Sequence, residues 1–226
     1  SLLIGSLTGG EHPNVVFILT DDQGYGDLSC HGNPVLKTPA LDRLHAQSIR
    51  FTDFHVNSFC TPSRASLLTG HYATRTGAYR TSSGRTHLHL DETTMAEQFA
   101  ANGYATGLFG KWHLGDSYPH RPQDRGFGTV VWHKAGGIGQ LSDHPENDYF
   151  DDIYERDGEE ERFEGYCTDV WFREALHFIQ EQSKADKPFF AYIPTNAPHS
   201  PYIVADEYSA PYKATATWRD GKAAQF

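Results

Sequence analysis

One short segment of the chain, CTPSRASLLTG, holds residue types that could do chemistry. Pro62 biases Thr61 towards an extended backbone, and proline is well suited to the first turn of a helix. The pattern therefore predicts a helix over residues 62–68, with Thr61 as its N-cap. Cys60 would then lie directly in front of a helix N-terminus.

A helix N-terminus next to Cys60 would favour an anion, because its free N–H groups and the helix dipole are positive. Arg64, in the first turn, adds a forked guanidinium with a permanent charge. The segment is therefore suited to hold an anion beside a sulfur nucleophile, or beside a group made from that sulfur. A buried structural cysteine at a helix start would give the same local pattern, so both interpretations stay open.

Further polar side chains follow three apolar segments, each of which is predicted to be a strand. These are Asp21 and Asp22 after NVVFIL, Lys111 and His113 at the end of YATGLFGKWH, and His199 after KPFFAYIP. Paired acids often form a turn, and a lone loop histidine is often only solvated. Open α/β sheets, however, bind ligands at the carboxyl ends of their strands. An extended backbone would point Lys111 and His113 to one face, so the coincidence predicts a polar site at one sheet edge.

Helix signals lie between these strands. Thr38 can cap a helix in KTPALDRLHAQSIRF, and Thr94 and Glu97 have capping-box spacing, with Gly103 as the stop. A further helix is predicted in TDVWFREALHFIQEQ. The residues expected on apolar faces are Leu41 and Leu44 in the first helix and Val170, Leu176 and Ile179 in the last.

The order strand, helix, helix, strand, helix, strand predicts an α/β fold with a mostly parallel sheet flanked by helices. We expect residues 13–226 to form the domain, and no internal repeat is visible. Residues 1–12 are interpreted as an N-terminal extension or as the remnant of a secretory signal.

Composition excludes several classes of protein. The net charge is −10, from 19 basic and 29 acidic residues, which argues against a nucleic-acid or membrane-surface binder. No apolar run is long enough for a membrane span. The acidic stretch over residues 143–164 is expected to be a solvated loop or hairpin. Cys30, Cys60 and Cys167 have no zinc-finger spacing and allow at most one disulfide.

The segment around Cys60 resembles the signature of the type I sulfatases, which belong to the alkaline-phosphatase-like superfamily. NVVFILTDDQGYGDL is similar to that family's N-terminal strand with its Asp pair, GYATGLFGKWHLG to its Lys/His segment, and APHSPY to its later histidine. The residues in register with the signature are Cys60, Pro62, Ser63, Arg64, Leu68, Thr69 and Gly70. The resemblance runs from about Pro13 to Tyr212 and implies the N-terminal part of a sulfatase domain.

The resemblance implies two cofactors. Asp21 and Asp22 would ligate a divalent cation, usually calcium, whose preference for carboxylate oxygens fits this pair. Cys60 would be oxidised to formylglycine by a formylglycine-generating enzyme and would also contact the metal. The hydrated aldehyde would carry two hydroxyl groups at position 60.

The resemblance also implies catalytic roles. One hydroxyl at position 60, held near the metal and Arg64, would attack sulfur and displace the alcohol of a sulfate ester. His113 would be the base that releases the sulfate, with Lys111 neutralising negative charge. His199 would bind sulfate and help the leaving oxygen depart. His133 is a candidate substrate contact, but an ordinary loop histidine is the preferred interpretation.

The expected activity is sulfuric ester hydrolysis on sulfated glycans or aryl sulfates, in the bacterial periplasm or outside the cell. HKAGGIGQLSD and ENDYFDDIYERDG are candidate substrate-lining segments. The family's second metal-binding motif, of the Asp-Asn-Gly type, and a further active-site lysine are absent from the printed sequence. Two alternatives remain: a phosphatase or phosphodiesterase of the same superfamily, and a truncated, non-catalytic module with an unmodified Cys60.

Overall fold

A computed structural model describes residues 12–81, 86–185 and 187–213. The predicted extension over residues 1–12 lies almost wholly outside the described residues, as do the last residues of the predicted domain. Within the described residues, the strands are β1 (Val15–Leu19), β2 (Ala105–Lys111), β3 (Thr129–His133), β4 (Ile153–Arg156), β5 (Glu159–Arg162) and β6 (Phe189–Pro194). The helices are α1 (Pro39–Ala46), α2 (Cys60–Thr69), α3 (Met95–Ala101), α4 (Cys167–Lys184) and α5 (Asp206–Ser209), with short 3₁₀ turns between them.

The strands form one sheet in the order β1-β6-β2-β3-β4-β5. The first four strands in this order are parallel, and β4 and β5 add an antiparallel hairpin at the far edge. The carboxyl ends of β1, β6, β2 and β3 therefore meet at one edge of the sheet. The predicted α/β class with a mostly parallel sheet is confirmed, and so is the hairpin alternative for the acidic stretch.

Apolar side chains cover both faces of the central strands, as expected for parallel strands between helices. On one face, Phe109 of β2 packs in a cluster with Trp171 and Phe178 of α4. On the other, Leu108 packs in a second cluster with Leu68 of α2 and Trp132 of β3. Successive β2 residues thus enter opposite cores, which follows from the period of two along a strand.

Three of the five predicted apolar helix positions were wrong, whereas Val170 is buried in the core and Ile179 packs against it. Leu41 and Leu44 are 38% and 59% exposed, because α1 packs on the 3₁₀ turn Ser29–His31 and buries none of its own residues. Leu176 of α4 is 55% exposed. The buried α4 positions recur three and four residues apart, in a stripe that excludes Leu176; they are Cys167, Val170, Trp171, Ala175 and Phe178.

In the part of the chain described, no helix combines the length and the apolar character that crossing a bilayer would require. The three cysteines are all free thiols in the structure.

The start of α3 confirms the predicted capping box. Thr94 Oγ1 accepts a hydrogen bond from the Glu97 N–H at 3.1 Å, and the Glu97 carboxylate accepts one from the Thr94 N–H at 2.6 Å. Thr94 Oγ1 also donates to the Arg125 carbonyl at 2.9 Å. One buried hydroxyl thus satisfies a helix end and fastens it to a neighbouring turn.

We expect Thr94→Ala to lower the free energy of unfolding by about 1–2 kcal/mol, because both hydroxyl contacts are lost. Urea denaturation of the variant and the parent protein measures the difference. Thr93→Ala is the matched control, since Thr93 is exposed, and should change stability by less than about 0.5 kcal/mol. Equal effects of the two substitutions would contradict the capping role.

Candidate active site

Helix α2 begins at Cys60, so the predicted start at Pro62 was wrong by two residues. Phe59 is the N-cap, with an extended backbone and no side-chain cap. Thr61 lies inside the helix, and its hydroxyl is buried without a hydrogen bond in the part of the chain described. Pro62 is tolerated there because the first-turn N–H groups have no partner within the helix. Cys60 is thus the first helical residue.

Arg64 lies one turn after Cys60 and is almost fully buried. Its Nη1 donates to the Lys111 carbonyl at 2.6 Å, and Nη2 lies 3.7 Å from Asp21 Oδ1. Arg64 Nε and Nη2 are buried and make no hydrogen bond to any described residue. Buried donors without a partner are uncommon, because leaving them unpaired costs free energy. The guanidinium therefore has unused capacity for an anion.

Lys111 and Asp21 form a buried ion pair between the ends of β2 and β1. Lys111 is fully buried, Asp21 is 5% exposed, and Lys111 Nζ donates to Asp21 Oδ2 at 2.5 Å. Burial alone would raise the pKa of Asp21, but the positive charges of Arg64 and Lys111 outweigh it and lower that pKa. Asp21 is therefore held as a carboxylate.

Asp22 and His199 meet at the same sheet edge. Asp22 has a left-handed backbone, with φ of 58°, and its Oδ2 lies 3.4 Å from His199 Nε2. The Asp21 N–H donates to the Ala197 carbonyl at 3.0 Å, which ties the residues after β1 to the loop after β6. The predicted proximity of the acid pair and the third strand's histidine is present.

His113 lies two residues beyond the end of β2 and is buried. Its φ is 60°, so the extended backbone assumed for Lys111 and His113 was wrong. Burial, together with the positive charges of Lys111 and Arg64, lowers the pKa of His113 to about 3. The imidazole is therefore neutral. A Cβ on Gly136 would lie 2.6 Å from its ring, so this glycine allows close packing of the following loop.

His133 is not the loop histidine that was preferred from the sequence. It ends β3, is buried, and its Nε2 accepts from Asn196 Nδ2 at 2.8 Å, while Nδ1 donates to the Lys134 carbonyl at 2.7 Å. Asn196 Oδ1 accepts from Trp171 Nε1 at 3.1 Å. Asn196 was missed, although an amide two residues after the apolar strand FFAYIP was a signal that could have found it.

One cavity of about 260 Å³ collects the acid pair and the start of α2, since Asp21, Asp22, Cys60 and Arg64 all line it. The two carboxylates supply the hard oxygen atoms that calcium prefers, so they fit that ion. The thiol of Cys60 does not, because sulfur is a soft ligand. Cys60 Sγ lies 3.5 Å from Thr81 Oγ1, its hydrogen-bonding partner.

Comparisons with known proteins match this chain to sulfatases. A family model described as Sulfatase matches residues 13–223. Arylsulfatase A from Homo sapiens is 35% identical over 237 residues, which cover 92% of this chain and 45% of that protein. An arylsulfatase from Klebsiella aerogenes is 33% identical over 227 residues, which cover 92% and 48%. The chain thus spans less than half the length of these relatives.

Solved structures with a similar fold also match this chain. Ps i-CgsB in complex with k-i-k-neocarrahexaose has a TM-score of 0.86 and 29% identity, over 95% of this chain and 52% of that one. BT4656 in complex with its substrate D-glucosamine-2-N,6-O-disulfate has a TM-score of 0.76 and 30% identity, over 91% and 38%.

We expect Lys111→Met to destabilise the protein by about 3–5 kcal/mol, because Asp21 is left as a buried, poorly paired charge. Chemical denaturation measures the loss. Lys213→Met is the control, since Lys213 pairs with Asp206 at the surface, and should cost less than about 1 kcal/mol. The double variant Asp21→Asn/Lys111→Met should recover part of the loss. A double variant less stable than Lys111→Met would contradict a charge effect.

The imidazole of His113 should stay neutral well below the ordinary histidine pKa of about 6.5. Its folded pKa is lower than its unfolded one, so this group's contribution to stability is complete above about pH 6.5 and is lost as the pH falls towards 3. NMR of the histidine rings should show neutral His113 at about pH 5. In Lys111→Met its pKa should rise, because a nearby positive charge is removed. Protonation near pH 6.5 would contradict the burial argument.

Proposed function

The chain belongs to the sulfatase family, and from that premise we propose that the protein hydrolyses sulfate esters. The proposed catalytic residues are Cys60, Arg64, Lys111, His113 and His199. The resemblance drawn from the sequence motifs is confirmed at the level of the family and the fold. The observation that carries the proposal is the buried guanidinium of Arg64, which lies one turn from Cys60 and has two nitrogen atoms that make no hydrogen bond to a residue the structure describes.

Charge around this guanidinium supports an anionic substrate group. Arg64 and Lys111 bring two positive charges to the end of the sheet, and the carboxylate of Asp21 lies between them. The planar guanidinium can donate two parallel hydrogen bonds to the oxygen atoms of a sulfate group. Binding there would give Arg64 Nε and Nη2 hydrogen-bond acceptors that the described residues do not supply.

Proton transfer is assigned to the two histidines. Neutral His113 has a lone pair available at physiological pH, so it can accept a proton as a general base. His199 lies against the Asp22 carboxylate at the same edge of the sheet. We assign it the donation of a proton to the oxygen atom of the departing alcohol.

Two groups complete the proposed site. Asp21 and Asp22, with an oxygen atom at position 60, would hold calcium, which would supply Lewis-acid polarisation of the ester. Oxidation of Cys60 to formylglycine by a formylglycine-generating enzyme would replace the soft thiol with oxygen. The two carboxylates that line the cavity support the calcium assignment, and the accessible position of Cys60 at the helix start supports the modification.

We infer that the substrate is a sulfated carbohydrate. The support is similarity to BT4656, whose structure holds a disulfated glucosamine. An aryl sulfate would serve as a convenient assay substrate. Residues 13–226 would form the N-terminal catalytic domain, and the proposed location is the bacterial periplasm or the exterior of the cell.

The test is hydrolysis of an aryl sulfate and the matching aryl phosphate by purified protein that was co-expressed with a formylglycine-generating enzyme. We expect sulfate to be the better substrate and peptide mass analysis to show that position 60 has lost its sulfur. Arg64→Lys should lower kcat by about 100-fold or more, because one preorganised donor array is lost.

Arg173→Lys is the matched control, because Arg173 lies on the exposed face of α4, and its kcat should match the parent. Faster turnover of the phosphate ester would favour the phosphatase alternative. Normal sulfate hydrolysis with an intact Cys60 would overturn the formylglycine assignment. A well-folded protein without either activity would favour the non-catalytic alternative.

A further inference from the structure

A second cluster of chemically active side chains lies on residues that the proposed active site does not use. Cys30 and His31 belong to the 3₁₀ turn Ser29–His31, and His45 lies in the last turn of α1. One potential ligand atom from each of the three lies within 4.8 Å of the other two. All three side chains are partly exposed, so an ion and water can reach them.

A network of hydrogen bonds fastens the turn to α1 and so fixes the two halves of this cluster. Ser29 Oγ donates to Asp42 Oδ2 at 2.7 Å, and the Cys30 N–H donates to Asp42 Oδ1 at 3.0 Å. The Ser29 N–H donates to Thr38 Oγ1 at 3.1 Å, and the Thr38 N–H returns to Ser29 Oγ at 3.0 Å. The backbone that carries Cys30 is therefore held against the helix that carries His45.

A contact with the backbone of Tyr25 sets the tautomer of His31. Its Nδ1 lies 2.7 Å from the Tyr25 carbonyl, which can only accept, so Nδ1 carries the proton. Nε2 is left with its lone pair. The Tyr25 ring stacks on the His31 ring at 4.9 Å between centroids and holds its orientation. A histidine whose other nitrogen donates to a carbonyl is the usual arrangement for a metal ligand.

We propose that Cys30, His31 and His45 bind a zinc ion. One thiolate and two imidazoles form a borderline-soft donor set that suits tetrahedral zinc and disfavours calcium or magnesium. With three protein ligands, the fourth position is open to water. Binding forms a Zn–S bond and releases the thiol proton of Cys30 to solvent, so no oxidant or reductant is required.

The test is isothermal titration of the tag-free purified protein with zinc chloride, followed by cobalt(II) spectroscopy. We expect one zinc ion per chain and, with cobalt, a near-ultraviolet band from sulfur-to-cobalt charge transfer. Cys30→Ser should remove that band, and Cys30→Ser and His45→Ala should each weaken zinc binding by about 100-fold or more. That loss exceeds the effect of removing an outer-shell partner, which is 10–100-fold.

Two controls separate this site from others. Cys60→Ala should keep the cobalt band, which excludes the thiol of the proposed active site as its source. His177→Ala removes an exposed histidine of α4 and should leave the zinc affinity unchanged. Zinc should also raise the melting temperature of the parent protein and of His177→Ala but not of Cys30→Ser.

Circular dichroism establishes that each variant is folded before its affinity is compared. Absence of stoichiometric zinc binding by the parent protein would overturn the proposal and leave the cluster as aromatic packing of His31 on Tyr25. Unchanged affinity in folded Cys30→Ser would overturn it as well.

Discussion

The buried ion pair of Lys111 with Asp21, with Arg64 beside it, is the interaction that constrains the end of the sheet. Asp21 follows β1 and Lys111 ends β2, and β6 runs between these two strands. A buried charge without a partner costs several kcal/mol. A shift of either strand end would separate the ion pair and so lower the stability of the fold. Arg64 adds α2 to the same arrangement through the Lys111 carbonyl. One charge cluster therefore sets the relative positions of two strands and the helix that carries Cys60.

The same cluster has an excess of positive charge, and this excess has two effects. Together with burial, it keeps His113 neutral, because a protonated imidazole would be repelled by Lys111 and Arg64. One more negative charge would balance this excess, and a bound sulfate group would supply it. An anion site and an available base are thus consequences of a single electrostatic arrangement, which is why the proposed roles are mutually consistent.

The sequence was sufficient for features that depend on local chemistry or on strand order. The capping box of Thr94 needs only two residues three apart, and polar residues after parallel strands must meet at one edge. Features that depend on tertiary contacts could not be predicted. The burial of His133 against Asn196 arises from packing between β3, the loop after β6 and α4. The left-handed backbone of His113 lies after the end of β2, where the period of a strand no longer applies. The start of α2 was misplaced because Pro62 was taken as the first helical residue, whereas the whole first turn tolerates proline and here Pro62 is the third.

Helix α1 shows why apolar periodicity also missed the second cluster. Leu41 and Leu44 face solvent, and partly buried hydrogen bonds from Asp42 and from the N-cap Thr38 hold the helix to the turn before it. Hydrophobic packing rewards buried area and tolerates small rotations, whereas hydrogen bonds are directional. A helix held by polar groups is therefore fixed in rotation as well as in position. That rotation decides where His45 lies relative to the turn, which is the geometric precision that a metal ligand requires.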